Sequence, residues 1–412
     1  MTPPRVRLDD YLPTVGSAAV DEIRSLAHRL EGRRALMVNA TAVGGGVAEL
    51  LNRLIPLLED VGIPTRWEVI RGGEEFFAVT KGIHNALHGT PVEITKRMLD
   101  LFREVNADNA ASLDLAADLV VIHDPQPLPL VAARRSGTGH WVWRCHVDIS
   151  RPQRDVWAFL RQYVVQYDAS VFSAPEFAQD LPITQYMIHP AIDPLAEKNR
   201  EMDPGEIETV LTRLGIRDDR PIVTQVSRFD RLKDPVGVIQ AYRLARRTVE
   251  CQLVLAGGGA TDDPEGAVVL REVRRAADGD PLIHVLELPP FSDREINALQ
   301  RASAVIVQKS LREGFGLTVT EALWKRRPVI ASAVGGITLQ VVHNLTGLLV
   351  HSVEGTAHRI RTLLRDPAFA RRLGENGREY VKNRFLTTSN LRSWLALAIA
   401  LTHPGERIIR LA

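Results

Sequence analysis

The densest group of residues able to do chemistry is the stretch 310–328, which reads SLREGFGLTVTEALWKRRP. In it, Glu313 and Glu321 flank a turn, Gly314-Phe315-Gly316, and the start of a helical pattern, Leu317-Thr318. Glycines let the backbone approach a ligand closely, and the unbonded N–H groups at a helix start can hold an anion such as phosphate. Two carboxylates around an anion site suit a nucleotide sugar, which has phosphate in the middle and hydroxyls at both ends. Two glutamates at this spacing, taken alone, would also suit an ordinary solvated helix.

A second group is basic and follows a predicted strand, Pro221–Val226. Arg228 and Lys233 lie in the loop after that strand, at the carboxyl edge of the predicted sheet. An arginine that bonds two oxygens and a lysine that acts as a point charge can together neutralise a diphosphate as its bond to a sugar breaks. Taken alone, the pair is equally compatible with a solvated basic loop that has aspartate partners.

The first half of the chain holds three further candidate groups. Gly44-Gly45-Gly46 lies between a predicted strand and a helix, as in a Rossmann-like first unit, but it is not the spaced G-x-G-x-x-G of dinucleotide sites. It predicts either a loop that approaches a ligand or a tight turn that needs only small residues. His123-Asp124 and His146 follow two other predicted strands, although a lone histidine at a strand end is more often structural.

The elements that position these groups alternate between strand and helix in two successive series. This order predicts an α/β protein of two Rossmann-like domains, with parallel sheets facing a central cleft. We place the domains at 1–194 and 195–385, with 386–412 as a terminal helix packing back on the first, and we interpret 72–89 as a polar loop. The predicted strands are Ala35–Val38, Trp67–Ile70, Leu119–Ile122, Trp141–Cys145, Val171–Phe172, Met187–Ile188, Pro221–Val226, Gln252–Ala256, Leu282–Leu286, Ala304–Val307, Val329–Ala331 and Leu348–Val350.

Composition excludes several classes of partner. The 412 residues include 51 basic and 50 acidic ones, a net charge of +1, which gives no reason to expect nucleic acid or an anionic membrane. Cys145 and Cys251 are the two cysteines and fit a reducing cytoplasm, and the start lacks the apolar core of a signal peptide. No His/Cys cluster has metal-ligand spacing, and we interpret Asp278-Gly279-Asp280 as a solvated turn, so no metal is expected.

Several motifs together resemble one family. The string from Glu313 to Leu317 with Glu321 resembles the signature of retaining GT-B glycosyltransferases of the glycogen-synthase and sucrose-synthase superfamily. Within that superfamily the chain is similar, along nearly its whole length, to the trehalose glycosyltransferring synthases. The motifs that carry this similarity are Leu8–Tyr11, Glu75–Lys81, His84–Leu87, His123–Pro127, Trp143–Asp148 and Arg312–Glu321.

For the second domain, the resemblance implies a donor site. Arg228 and Lys233 would clamp the diphosphate, Glu313 would bind hydroxyls of the donor sugar, and Glu321 would bind the ribose 2′- and 3′-hydroxyls. Backbone N–H groups from Gly316 to Thr318 would contact the phosphate. The remaining residues expected to contact the substrate are Gly314, Phe315 and Leu317.

For the first domain, the resemblance implies that His146 contacts the donor sugar near its 6-hydroxyl and reacting carbon. Asp124 would hold the acceptor sugar, and Gly44–Gly46 would close over the transferred group. One departure is visible, because Arg231-Leu232-Lys233-Asp234 replaces the Pro-Trp-Lys-Gly of some relatives. It leaves the shape of this loop, and the nucleotide preference, open.

The implied activity is the interconversion of NDP-glucose plus glucose with trehalose plus NDP, keeping the α configuration. These small molecules would be the only partners besides a possible homodimer, without cofactor, metal, nucleic acid or membrane. One alternative is a trehalose phosphorylase that uses inorganic phosphate, and another is a non-catalytic, two-lobed sugar-binding protein. The base of the nucleotide and the preferred direction do not follow from the sequence.

Overall fold

A computed structural model describes residues 6–42, 46–135, 139–217, 219–258 and 264–403. The chain divides into two compact units. The first unit combines the residues up to Ala191 with those from Thr387 onward, and the second unit runs from Ile192 to Leu386.

The first unit contains a six-stranded, parallel sheet in the order β2-β1-β3-β4-β5-β6. Its strands are β1 Ala35–Asn39, β2 Thr65–Val69, β3 Leu119–His123, β4 His140–Arg144, β5 Ala169–Phe172 and β6 Thr184–Met187. Its helices before the chain leaves the unit are α1 Leu12–Val15, α2 Ser17–His28, α3 Gly46–Asp60, α4 Glu74–Leu87, α5 Lys96–Ser112 and α6 Arg154–Val164. Every residue of β1 and β5 is buried, as expected for a parallel sheet covered on both faces.

The interpretation of residues 72–89 as a polar loop is wrong, because α4 occupies most of this stretch. Phe76, Val79, Ile83 and Leu87 recur every three or four residues and are buried. Two glutamates in the first turn favour the helix N-terminus electrostatically. The apolar residues of this stretch do follow the helical period, but the many polar residues between them favoured the interpretation as a loop.

The second unit repeats the same architecture, with a parallel sheet of six strands in the order β12-β11-β10-β7-β8-β9. Its strands are β7 Ile222–Val226, β8 Gln252–Gly258, β9 Ile283–Leu288, β10 Val305–Gln308, β11 Val329–Ser332 and β12 Leu348–Val350. Its helices are α7 Pro204–Arg213, α8 Pro235–Arg246, α9 Pro264–Ala277, α10 Asp293–Ala302, α11 Leu317–Trp324, α12 Ile337–Gln340, α13 Val353–Arg365 and α14 Pro367–Arg384.

The last described helix, α15 (Thr387–Thr402), returns the chain to the first unit. Its apolar side chains, among them Leu391, Trp394 and Leu395, belong to the same buried cluster as residues of α2, α3 and the first sheet. Within the described ranges, no helix is both long enough and apolar enough to cross a bilayer.

Each sheet has one point where the strand order reverses, and ligands of open α/β sheets bind outside the carboxyl ends of the strands at such a point. In the first unit it lies between β1 and β3, and in the second between β7 and β10. The loops after β1, β3, β7 and β10 hold most of the candidate residues predicted from the sequence, and His146 follows the neighbouring strand β4.

Candidate active site

In the second unit, the loops after β7 and β10 are joined to one another. The backbone N–H of Leu311 donates a hydrogen bond of 2.7 Å to the carbonyl oxygen of Leu232. This bond brings the basic loop that holds Arg228 and Lys233 beside the loop that holds Glu313.

The closest contact between these loops is the ion pair of Lys233 and Glu313, whose Nζ and Oε2 atoms are 2.6 Å apart. Ser310 Oγ donates to the same carboxylate oxygen at 3.0 Å and receives a hydrogen bond from Gln308 Nε2. Both charged side chains are largely buried, at 18% and 9% exposure. The carboxylate is therefore fixed through Oε2, and Oε1 has no hydrogen-bond partner in the part of the chain that the structure describes.

The backbone that carries Lys233 is held by the next residue, Asp234. Asp234 adopts a left-handed conformation with φ of 47° and caps α8, accepting a hydrogen bond of 3.0 Å from the N–H of Gly237. Its carboxylate also pairs with Lys309. A side chain at Gly237 would collide with this carboxylate, so the glycine is required by the cap. Aspartate thus takes the backbone role of glycine here, at a cost that the cap and the ion pair offset.

Arg228 lies in the same loop, and its side chain is 59% exposed. Among the described residues its ion-pair partner is Asp230, at 3.4 Å. Asp230 is itself engaged, because its Oδ1 atom accepts a hydrogen bond from the N–H of Leu232 at 2.7 Å. The exposed Arg228 guanidinium could therefore bind an anionic ligand with little competition from the carboxylate of Asp230.

The turn before α11 exposes backbone N–H groups. Gly316 has φ of 84° and is the N-cap of α11, so that the N–H groups of Leu317 and Thr318 belong to the first turn, which lacks intrahelical acceptors. Phe315 is buried against Phe385, with ring centroids 5.5 Å apart, and anchors the turn. Gly314 packs through its carbonyl oxygen so closely on Gly336 that a side chain on Gly336 would collide with it. The turn is therefore held in place on both sides, and its amides are arranged so that they could bind an anion.

Glu321 projects from the second turn of α11 and is only 2% exposed. Its Oε1 atom lies 3.7 Å from Lys198 Nζ, whereas Oε2 is buried without a hydrogen-bond partner among the described residues. Lys325 lies beneath it and donates to the Glu321 carbonyl oxygen, and burial lowers the pKa of that amine to about 7. A buried carboxylate oxygen without a partner is costly, and a ligand hydroxyl would satisfy it.

In the first unit, His123 at the end of β3 and His146 in the loop after β4 are in direct contact. The Nδ1 atom of His123 and the Nε2 atom of His146 are 3.0 Å apart. The ring planes are inclined by 14° and the centroids are 5.3 Å apart, so the rings meet edge to edge. Arg144, the last residue of β4, is buried beside them and donates to Ser173 Oγ at 3.0 Å.

Asp124 occupies a constrained position between these histidines, with φ of 66°. Its Oδ1 atom accepts a hydrogen bond of 2.8 Å from the N–H of His146, and its carbonyl oxygen accepts one from Trp143 Nε1. Burial raises the pKa of the Asp124 carboxyl to about 6, although the His146 N–H and the Arg144 charge oppose the increase. A strained, desolvated carboxylate is typical of a functional position.

Only part of the glycine loop after β1 lies among the described residues. Gly44 and Gly45 lie outside the described residues, and Gly46 is the exposed first residue of α3. The loop does follow the first strand at the reversal point of the sheet, where a ligand-contacting loop is expected.

The sequence predicted a solvated turn at Asp278-Gly279-Asp280. Asp278 and Gly279 are exposed, as predicted, but Asp280 is partly buried. Asp280 forms an ion pair of 2.7 Å with Arg246 and accepts a hydrogen bond from the N–H of Leu282. It therefore holds α8 and the start of β9. Across the described ranges, no group of three or more His, Cys, Asp or Glu side chains could hold a metal ion.

The structure therefore assembles two clusters, one in each unit. In the second unit, Lys233 and Glu313 are in contact. Arg228 lies in the loop of Lys233, and the turn Gly314–Thr318 and Glu321 lie on the segment that follows Glu313. The predicted residues that meet in the first unit are Asp124 and His146. Sequence reasoning missed four residues that contact them, namely Lys198, Ser310, His123 as a partner of His146, and Arg144.

Comparisons with known proteins match this architecture. A family model described as "Trehalose synthase, N-terminal domain" matches residues 37–179, and one described as "Glycosyl transferases group 1" matches residues 206–380. A solved trehalose-phosphate synthase (UDP-forming) from Burkholderia xenovorans aligns with a TM-score of 0.74 over 89% of this chain and 99% of its own, at 14% identity. A sucrose-phosphate synthase from Thermosynechococcus elongatus aligns with a TM-score of 0.67 over 90% and 98%, at 21% identity. The chain is a glycosyltransferase with the GT-B fold.

Closer relatives define the family. The trehalose synthase of Thermococcus litoralis is 45% identical over 397 residues, which cover 95% of this chain and 96% of the relative. That of Rubrobacter xylanophilus is 42% identical over 408 residues, covering 96% and 97%. The chain belongs to the trehalose synthase family. This membership sets aside the alternative of a non-catalytic sugar-binding protein.

Proposed function

We propose that the chain is a retaining glucosyltransferase that makes trehalose from NDP-glucose and glucose, and cleaves trehalose with NDP in the reverse direction. The observation that carries this proposal is the Lys233–Glu313 pair, 2.6 Å apart, at the reversal point of the second sheet beside the N-terminus of α11. A cation, a carboxylate and helix-end amides meet there, and a glucosyl diphosphate needs all three.

The second unit would bind the donor. The unpartnered Oε2 atom of Glu321 would accept hydrogen bonds from the ribose hydroxyls, and the first amides of α11 would hold a phosphate. Arg228 and Lys233 would bind the diphosphate. Glu313 would accept hydrogen bonds from glucose hydroxyls through Oε1, while Oε2 stays bound to Lys233 and Ser310.

The first unit would bind the acceptor glucose and support the transferred sugar. Asp124 is a carboxylate that can accept two sugar hydroxyls at once, provided that it is ionised. Its main-chain and side-chain contacts to Trp143 and His146 fix its direction. His146 would contact the donor sugar, and Gly44–Gly46 would close over it.

The chemical step follows from these charges. As the bond between glucose and diphosphate breaks, negative charge grows on the leaving oxygen, and Arg228 and Lys233 stabilise it. The acceptor hydroxyl attacks from the same face, so the α configuration is kept, and its proton passes to an oxygen of the leaving phosphate. This course requires no protein nucleophile and no metal.

Trehalose phosphorolysis is the second candidate, since a trehalose phosphorylase of Pleurotus pulmonarius is 28% identical over 97% of this chain, although the match spans only 62% of that relative. The buried Glu321 favours the nucleotide reaction, because free phosphate has no ribose. The test is to assay ADP-, UDP- and GDP-glucose with glucose, and trehalose with each NDP or with phosphate. Trehalose cleavage by phosphate, without transfer from any NDP-glucose, would establish the phosphorylase instead.

A further inference from the structure

The contact between His123 and His146 couples the protonation of the two rings. Their Nδ1 and Nε2 atoms are 3.0 Å apart, within hydrogen-bond distance. A neutral imidazole has one nitrogen that donates and one that accepts, so one of these two atoms must carry the proton and the other must not. The tautomer of one histidine therefore dictates that of the other.

Both rings are neutral in this environment. Burial lowers the pKa of His123 to about 3 and that of His146 well below its usual value, and the Arg144 charge lowers both further. Two neutral rings leave two possible arrangements, in which the shared proton belongs either to His123 Nδ1 or to His146 Nε2.

Arg144 decides between these arrangements. It is the register partner of His123 on the neighbouring strand, so both side chains project from the same face of the sheet. His123 Nε2 and Arg144 Nη1 are both buried and, within the described residues, without a hydrogen-bond partner. Next to a buried cation, a lone pair on His123 Nε2 is stabilised, whereas an N–H there would point its positive end at like charge. The His123 proton is therefore driven to Nδ1.

We propose that His123 is a positioning residue that donates from Nδ1 to His146 Nε2 and so holds His146 with its own proton on Nδ1. His146 is partly exposed, and its Nδ1–H becomes the one group of the ring able to donate to a substrate oxygen. The role of this donor in catalysis rests on the proposed function. The assignment of the His146 tautomer is independent of that function.

The tautomer is measurable in the substrate-free protein by long-range ¹H–¹⁵N correlation spectra with ¹⁵N-labelled histidine, in which His146→Asn identifies the His146 signals. We expect the protonated nitrogen of His146 to be Nδ1 in the unaltered protein. In His123→Leu, which removes the donor, the Nε2–H form should become the larger population. A His146 protonated at Nε2 in the unaltered protein, or a tautomer unchanged by His123→Leu, would overturn the proposal.

Measurements of enzyme activity provide an independent test of the positioning role. His123→Asn places an amide N–H near the position of Nδ1 and should keep kcat within about threefold, whereas His123→Leu should lower kcat about tenfold with little change in KM. His140→Asn, at the opposite end of β4, is the matched control and should change neither tautomer nor kcat. Equal losses in the Asn and Leu variants would contradict the positioning role. If no NDP-glucose is a substrate but the tautomer is as stated, the proposed function fails and the histidine arrangement stands.

Discussion

Lys233 and Glu313 are 80 residues apart in the chain, yet their Nζ and Oε2 atoms lie 2.6 Å apart. They meet because β7 and β10 are neighbours in the sheet, although two strands (β8 and β9) and three helices (α8 to α10) separate them along the chain. The pair uses one carboxylate oxygen and leaves the other for a ligand.

Replacing Lys233 by Met should lower kcat by about 100-fold or more, because one of two charges that stabilise the leaving diphosphate is lost. Arg231→Met is the matched control, since Arg231 lies in the same loop but pairs with Glu272 at 2.7 Å. Steady-state rates of trehalose formation measure both. If Arg231→Met lowers the rate as much as Lys233→Met does, catalysis depends on the overall charge of the loop and not on Lys233 in particular.

Replacing Glu321 by Gln should raise KM for the NDP-glucose by about 10- to 100-fold, because hydrogen bonds to a charged acceptor are lost in a buried site. A 2′-deoxyribose donor should be affected much less by this change. Glu287→Gln, an exposed residue paired with Arg274, serves as control. Unchanged discrimination between ribose and deoxyribose donors would rule out the ribose contact.

The pKa of Asp124, raised to about 6, predicts a pH dependence of acceptor binding. Only the ionised carboxylate accepts two hydroxyls, so KM for glucose should rise as pH falls below about 6, while KM for the donor stays constant. Initial rates between about pH 5 and 8 measure this, and an acceptor KM that does not vary with pH would argue against the assignment.

The raised pKa of Asp124 also predicts how the stability of the protein depends on pH. The Asp124 carboxyl has a pKa of about 6 in the folded state and 3.8 in the unfolded state, so folding favours its protonated form. The stability that this preference contributes is fully present below pH 3.8 and is lost as pH rises through 6. Asp124→Asn, which keeps an oxygen for the His146 N–H, should therefore stabilise the protein at pH 7 by on the order of 2 kcal/mol and have little effect near pH 4. It should also be nearly inactive. Thermal unfolding at both pH values tests the sign, and a variant that is less stable at pH 7 would contradict it.

Gly316→Ala should impair both stability and activity, because φ is 84° and the new Cβ would lie 3.1 Å from Glu313 Cγ. Gly279→Ala separates the two effects, since φ is 63° there but nothing lies within 4 Å of the added atom. Both variants should lose about 1 kcal/mol of stability or more. Only Gly316→Ala should lose activity, and equal activities in the two variants would mean that the Glu313 contact is irrelevant to catalysis.

Much of the fold is predictable from local patterns. Each of the twelve predicted strands overlaps an observed one, because short buried apolar runs followed by turn residues are a strong signal in parallel sheets. The α4 helix was missed because its buried residues alternate with charged and polar ones. Its period of three to four was nevertheless present in the sequence.

The candidate site was less predictable, and the reason is distance along the chain. Glu313 and Lys233 stand out because each follows a strand in a distinctive local motif. Lys198, whose amine lies 3.7 Å from Glu321, has no local signal, and its contact is set entirely by the tertiary structure. The same holds for His123, which meets His146 only because β3, which ends at His123, is paired with β4, which ends two residues before His146.

The most direct test of the central claim is to incubate the protein with NDP-glucose labelled with ¹³C at the anomeric carbon and unlabelled glucose, and to identify the products by NMR. We expect labelled α,α-trehalose, with the label at an anomeric carbon, and one equivalent of NDP for each trehalose formed. Absence of labelled trehalose with the adenine, uracil and guanine donors alike would contradict the account.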